Sequence, residues 1–383
     1  MKKRFCRSLC LLMTLFMLLA ISMPVAVAGY NLSSNDVAVK ENVRLLAGRV
    51  LQFMEPEKEL YGLENVDFSS LCLSERIPTY VLSNEDLRKE TETMYYPILS
   101  GKDWVATAIA TYDSAGKLNV QISTQYAKAY NKSKADEKNI SLLFDDDSAF
   151  ILAGDKVIEA AVTSVKSRAR TDIAEFGNRT RMSQMETLCL DNASSAIIRD
   201  GIATEDTGTF NQCYLSVPCV QQAGGSKECW AACVAAILGY YDYSTTIEEV
   251  YRRIGWEYDS ERGGRIEDAA LAMEAYGEEF SDLHWYSHGL TWWNLRTEIF
   301  LNRDPLFAEC AYSEYTGHAV VVRGFYVYQN ISQVGIIAYM DPVVGEYLAS
   351  SVATDGDYYY VPSGTTNQFP MTRFWAVNYV EES

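Results

Sequence analysis

The chain is 383 residues long, 48% hydrophobic and 22% charged, with 51 acidic against 33 basic residues and a formal net charge of −18. A surface that acidic repels phosphate backbones and anionic lipid heads, so neither nucleic acid nor a membrane surface is an expected partner. The length points to two domains.

Lys2, Lys3 and Arg4 form a basic segment, Leu11 to Ile21 an apolar one, and Ala26-Val27-Ala28 a small-residue cleavage sequence. That is the layout of a secretory signal, and the apolar run falls short of the ~20 residues a membrane helix needs. Residues 1–28 are therefore expected to be removed, leaving a secreted chain from Gly29 with no later run long enough to span a bilayer. Seven cysteines remain: Cys72, Cys189, Cys213, Cys219, Cys229, Cys233 and Cys310. An odd number in an exported chain leaves at least one free thiol. Cys213 and Cys219 are spaced to close a small loop, but a chain this long needs no disulfide framework. Asn31, Asn131, Asn139, Asn178, Asn192 and Asn330 each head an Asn-x-Ser/Thr triplet, which matters only where the source glycosylates exported proteins.

Val39, Val43, Leu46, Val50 and Phe53 lie three or four apart, the stripe of a helix over 35–54, with Ser34 or Asn35 placed to cap it. Strand patterns follow at Ile77 to Leu82, Trp104 to Tyr112 and Leu118 to Ser123, the last two joined by a turn at Ser114-Ala115-Gly116. Phe150 to Leu152 and Lys156 to Ile158 read as a second hairpin around Gly154-Asp155. Residues 29–165 thus read as a small α+β domain, one helix followed by a mostly antiparallel sheet. From 166 to 212 polar and turn residues dominate, and Asp200-Gly201 and Asp206-Thr207-Gly208-Thr209 read as exposed linker, the kind of segment proteases cut.

A new pattern begins at 213. Cys229 to Tyr241 is Ala-rich and reads as a buried helix. Thr245 and Glu248 have capping-box spacing for the next, Ile266 to Tyr276 follows Gly263-Gly264, and Leu290 to Asn302 is a fourth. Strands then take over at Leu306 to Ala311, Ala319 to Tyr328, Val334 to Met340 and Phe374 to Val380. Helices first and strands second is α+β order.

Cys229 stands at the head of its helix, where the positive end of the helix dipole favours a thiolate. His318 opens one strand and Asp341 ends another. A thiol, a base to take its proton and a carboxylate to orient the base are the parts of a cysteine hydrolase. Cys233, one turn on, offers the same thiol, but Trp230 and an upstream Gln favour Cys229. The chain has three histidines, and His284 and His288 lie in a Trp/Tyr-rich segment. Those two are four apart, as on one helical face, but position 285 is Trp where a zinc-hydrolase helix carries Glu, so they read as surface or cleft residues. Tyr358-Tyr359-Tyr360 reads as a sheet edge.

Cys229-Trp230-Ala231, Gly317-His318-Ala319-Val320 with Gly324-Phe325, and Asp341-Pro342, with Gln221-Gln222 upstream, resemble the motifs of papain-like cysteine peptidases. Over residues 213–380 the layout is similar to the compact bacterial forms, staphopain, streptopain and the domains that process double-glycine leaders. The resemblance implies a papain-like fold over 213–383, helices packed on an antiparallel sheet, and peptide-bond hydrolysis through an acyl-enzyme thioester. It makes Cys229 the nucleophile, His318 its acid and base, and Asp341 the orienting group. Gln222, or its neighbour Gln221, becomes the oxyanion donor with the Cys229 N–H. It also makes 29–165 a prodomain over the cleft and 166–212 its processing region. The substrate is a protein or peptide, and no cofactor or metal is implied. The chain departs from the plant papains in its shorter Cys-to-His separation, as in the compact forms, and in two residue choices. Lys227-Glu228 replaces a small-residue pair before the nucleophile, and the third group is Asp rather than Asn. The same triad would serve an acyltransferase of transglutaminase type. The non-enzymatic alternative is an inactive peptidase-fold binding protein.

Overall fold

The computed structural model describes residues 36–83, 86–112, 116–135, 138–145, 148–162, 185–190, 196–198, 211–287, 291–311, 317–328, 333–351, 359–360 and 369–377. The expected signal sequence lies outside these residues. Among them, no helix is long and apolar enough to cross a membrane. The chain from Asn42 onward is one compact unit.

The first helix, α1 (Asp36–Met54), has the expected extent, and Val43, Ala47, Val50 and Phe53 on its apolar face are buried. Then come β1 (Leu71–Leu73), β2 (Thr79–Ser83), β3 (Asp86–Lys89), β4 (Met94–Ser100), β5 (Asp103–Tyr112), β6 (Leu118–Ser123), α2 (Gln125–Lys132), β7 (Asn139–Asp145), β8 (Ser148–Ala153) and β9 (Lys156–Val162). The expected β5–β6 and β8–β9 pairs form, both antiparallel. The expectation of one helix and one sheet is corrected. This half contains a second helix, and its strands divide between two sheets. Strands β4 and β7 escape a period-2 reading because nearly all their residues are buried, and a strand covered on both faces does not alternate. Helix α2 is short and polar, yet turns Tyr126, Ala127 and Tyr130 into the core.

Part of the polar stretch at 166–212 is ordered into the sheets. Short strands β10 (Leu188–Cys189) and β11 (Ala196–Ile197) pair with β7 and β1 respectively, and Leu188, Leu190 and Ile198 are buried. Asp200-Gly201 and 206–209 lie outside the described residues.

The second half runs β12 (Asn211–Tyr214), α3 (Cys229–Tyr240), α4 (Ile247–Arg253), α5 (Ile266–Glu274), β13 (Leu283–Ser287), α6 (Trp292–Leu295), β14 (Leu306–Ala311), β15 (Gly317–Tyr328), β16 (Gln333–Asp341), β17 (Glu346–Ser351), β18 (Tyr359–Tyr360) and β19 (Phe369–Val377). Helix α4 is capped one residue later than expected, where the Thr246 hydroxyl accepts from the Glu249 N–H at 3.2 Å. Helix α6 continues as a π-helix over Arg296–Asn302 that ends at Arg303 in the left-handed conformation (φ 65°). Tyr359 and Tyr360 pair with Pro370 and Phe369.

Among the described residues, 13 strands form one sheet, whose main path is β11-β1-β4-β5-β6-β17-β16-β15-β14-β19-β13. The two halves join where Ile122 and Gln121 of β6 pair with Ala349 and Ser350 of β17. The smaller sheet, β3-β2-β7-β8-β9 with β10 on β7, includes one parallel pair, β2 with β7. Helix α3 packs on β15 and β14, with every residue from Trp230 to Leu238 buried. All seven described cysteines are free thiols, so Cys213 and Cys219 do not pair.

Candidate active site

Cys229 is the first residue of α3, and its side chain is half-buried. Strand pairing brings the other two groups to it. Val321 pairs with Met340, so Asp341 falls opposite Val320, and His318 lies two residues further along the same face. Such diagonal neighbours are within reach of long side chains. Here His318 Nε2 lies 2.9 Å from Asp341 Oδ1, with the carboxylate fully buried and His318 5% exposed. The same oxygen accepts the Val343 N–H at 2.9 Å. This is the turn that an Asp side chain forms with its own backbone two residues on, and it holds the carboxylate in place.

Burial pulls the His318 pKa down. Asp341, by charge and hydrogen bond, and the Cys229 thiol, by hydrogen bond and charge, pull it up, and the net position is about 10. His318 therefore carries a proton at neutral pH. With Nε2 held by Asp341, Nδ1 is the nitrogen left for the thiol.

Two more thiols lie close by. Cys233 is one turn along α3, and Cys310 of β14 pairs with His318 in the sheet register. Both are fully buried, and burial pushes both thiols well above their ordinary range. Cys233 thus lacks both the access and the thiolate character that a nucleophile needs.

The two glutamines part company. Gln221 is exposed and packs on Gly345 (φ +64°), where an added Cβ would come within 2.7 Å of its amide carbon. Gln222 is buried, and its backbone N–H donates to the Pro342 carbonyl at 2.9 Å, next to Asp341. Its Nε2 donates to the Ser226 carbonyl at 2.6 Å and lies 3.4 Å from the Ser226 hydroxyl oxygen. Trp230 anchors the helix start. It packs on Tyr251 and Trp256, with ring centroids at 4.9 and 5.7 Å, and a Cβ on Gly264 would lie 2.5 Å from its ring.

His284 is on strand β13, so the pair at 284 and 288 does not share a helical face; His288 lies outside the described residues. His284 Nδ1 is 3.1 Å from Glu298 Oε1. Glu298 is fully buried in the π-helix and also receives hydrogen bonds from Tyr286 and Asn302. Among the described residues, no group of three or more His, Cys, Asp or Glu is arranged to hold a metal ion.

Two sets of residues escaped the sequence reading. Glu228 sits beneath the Gln222 loop, and the one hint of it is that it replaces a small residue before Cys229. The other set joins the halves. Arg323 is the extra residue of a bulge in β15, fully buried, and its guanidinium meets Glu57 at 2.7 Å and the Leu215 carbonyl at 3.0 Å. Bulges re-aim side chains in this way. Glu346, paired with Asp341 across the β16–β17 turn, accepts from Lys128 at 2.7 Å and Thr124 at 2.9 Å. The turn that carries Asp341 is thus held from the N-terminal half.

Residues 211–354 match the family model described as Papain-like cysteine protease AvrRpt2. The match spans Cys229, His318 and Asp341. No curated protein matches the chain.

Proposed function

From a C-terminal half that resembles a papain-like cysteine protease, we infer that this protein is a secreted cysteine peptidase acting through Cys229, His318 and Asp341. The observation that carries the reading is the buried imidazole of His318, bridging a carboxylate and the thiol at a helix start. In the reaction, the Cys229 thiolate attacks the scissile carbonyl. The oxyanion takes hydrogen bonds from the Cys229 N–H and the Gln222 side-chain amide, where one such donor is worth about 2.7–4 kcal/mol. The His318 imidazolium protonates the leaving amine as the thioester forms. Neutral His318 then takes a proton from water, whose hydroxyl displaces Cys229 from the acyl group. This chemistry calls on side chains and backbone alone, without a cofactor or metal.

The proposal includes export through residues 1–28 and synthesis as a zymogen, with 29–165 as prodomain and 166–212 as processing region. A zymogen arrangement is supported by the docking of the N-terminal half on the Asp341 turn through Glu346.

The test is residues 29–383, wild type beside Cys229→Ala and His318→Ala, incubated with casein and followed by intact mass. Casein cleavage and self-processing by wild type alone are expected. Equal behaviour of all three, with no labelling of Cys229 by a thiol-directed epoxide, refutes the reading. An added primary amine that appears in the products assigns acyl transfer instead of hydrolysis.

A further inference from the structure

Glu228 immediately precedes the nucleophile and is 1% exposed. A buried carboxylate is costly unless its oxygens are hydrogen-bonded, and this one is served from three places. Oε2 accepts the Ser226 hydroxyl at 2.6 Å and the Ala223 N–H at 3.2 Å, and Oε1 accepts the Tyr258 hydroxyl at 2.5 Å. Two of these donors belong to the short loop between Gln222 and Cys229. In that loop the Ser226 N–H closes a turn on the Ala223 carbonyl at 3.0 Å, with Gly225 at φ +76°. The Ser226 carbonyl in turn receives the Gln222 amide. Gln222 Nε2 also lies 3.4 Å from the Ser226 hydroxyl oxygen, and Gln222 Oε1 is buried without a hydrogen-bond partner, so the amide is held by Ser226. The orientation of the Gln222 amide therefore depends on the position of Ser226, and that position depends on Glu228.

We propose that Glu228 is the positioning residue of the oxyanion site: it ties the 222–226 loop to the head of the nucleophile helix and so sets the orientation of the Gln222 amide. The proposal rests on the peptidase reading. It assigns a role to the residue at which the chain departs from the papain-like pattern.

Glu228→Gln keeps the shape and the acceptor for Tyr258 but turns an acceptor of Ser226 and Ala223 into a donor. The expected result is a fall in kcat of about tenfold to a hundredfold, approaching the loss of one oxyanion donor, with KM little changed. Alkylation of Cys229 by iodoacetamide needs the thiolate but no oxyanion, so its pH profile stays that of wild type. Gln222→Ala with Glu228→Gln is no slower than Gln222→Ala alone. A shifted alkylation profile would show Glu228 acting on the thiol itself and overturn the proposal, as would multiplicative losses in the double variant. Full activity of Gln222→Ala removes the donor and the proposal with it, while activity of Cys229→Ala removes the peptidase reading instead. Should Glu228→Gln not fold, Tyr258→Phe, which deletes one of the three donors, carries the same comparison.

Discussion

Asp341→Asn changes the charge beside His318 while keeping its shape. The Asn carbonyl oxygen can still accept from His318 Nε2 and the Val343 N–H, both 2.9 Å from Asp341 Oδ1, so the ring keeps its place. The imidazole loses one of the two groups that hold its pKa at about 10, while burial goes on pulling it down. An opposite charge at this range moves a pKa by about 1–3 pH units, or about 1.4–4 kcal/mol. In the proposed mechanism the active pair is thiolate and imidazolium. Activity is then present below the His318 pKa and lost as pH rises through it. The alkaline limb of kcat/KM, near 10 in wild type, should fall to about 7–9 in the variant. The assay is cleavage of a labelled casein from about pH 5 to about 11, with Cys229 alkylation run in parallel. Stability follows the same sign. A histidine whose folded pKa lies above its unfolded 6.5 stabilises fully below 6.5 and loses that contribution as pH rises through about 10. Alkaline limbs that coincide in the two proteins would refute the account of His318 as an imidazolium held by Asp341.

Glu57→Ala leaves the buried Arg323 guanidinium without its counter-ion. Removing one partner of a buried pair costs about 3–5 kcal/mol, and because the Glu57 side chain is 20% exposed the expected loss is about 1–3 kcal/mol in urea unfolding. A loss under about 0.5 kcal/mol would show that Arg323 does not need Glu57. Asp304 is pushed up to about 7, by burial first and by Glu298, against the lowering effects of the Tyr241 hydrogen bond and of His284. Its stabilising contribution is complete below the unfolded value of 3.8 and lost as pH rises through about 7. Asp304→Asn should therefore gain stability relative to wild type between those limits, and a constant difference between acid and neutral urea melts would contradict this. Gly324→Ala places a Cβ 2.8 Å from the Cys213 carbonyl oxygen, where β12 crosses close to β15. Overpacking of this kind costs about 1–3 kcal/mol, so an unchanged melting temperature would rule out the close approach.

Local patterns made α1, α3 and β14 to β16 legible in the sequence, because their apolar spacing reflects a single buried face or a buried core run. The same patterns placed Cys229 at a helix start and His318 and Asp341 at strand ends, which is where chain chemistry alone points to a thiol, a base and an orienting acid. The spacing of His284 and His288 fits a helical face, but nothing nearby in sequence shows that β19 pairs with the 283–287 segment as a strand. The second sheet, the β6–β17 junction and the Arg323–Glu57 pair were out of reach, the last joining residues 266 positions apart.

What the sequence by itself determined is the local elements and which reactive side chains stand at their ends, since helix starts and strand runs depend on near neighbours. The tertiary structure buried Cys233 and left Cys229 half-buried, turned Gln222 rather than Gln221 inward, and put Glu228 beneath the Gln222 loop. Those outcomes depend on strand register and on which surfaces close over a side chain, and both are set by contacts between segments far apart in the chain.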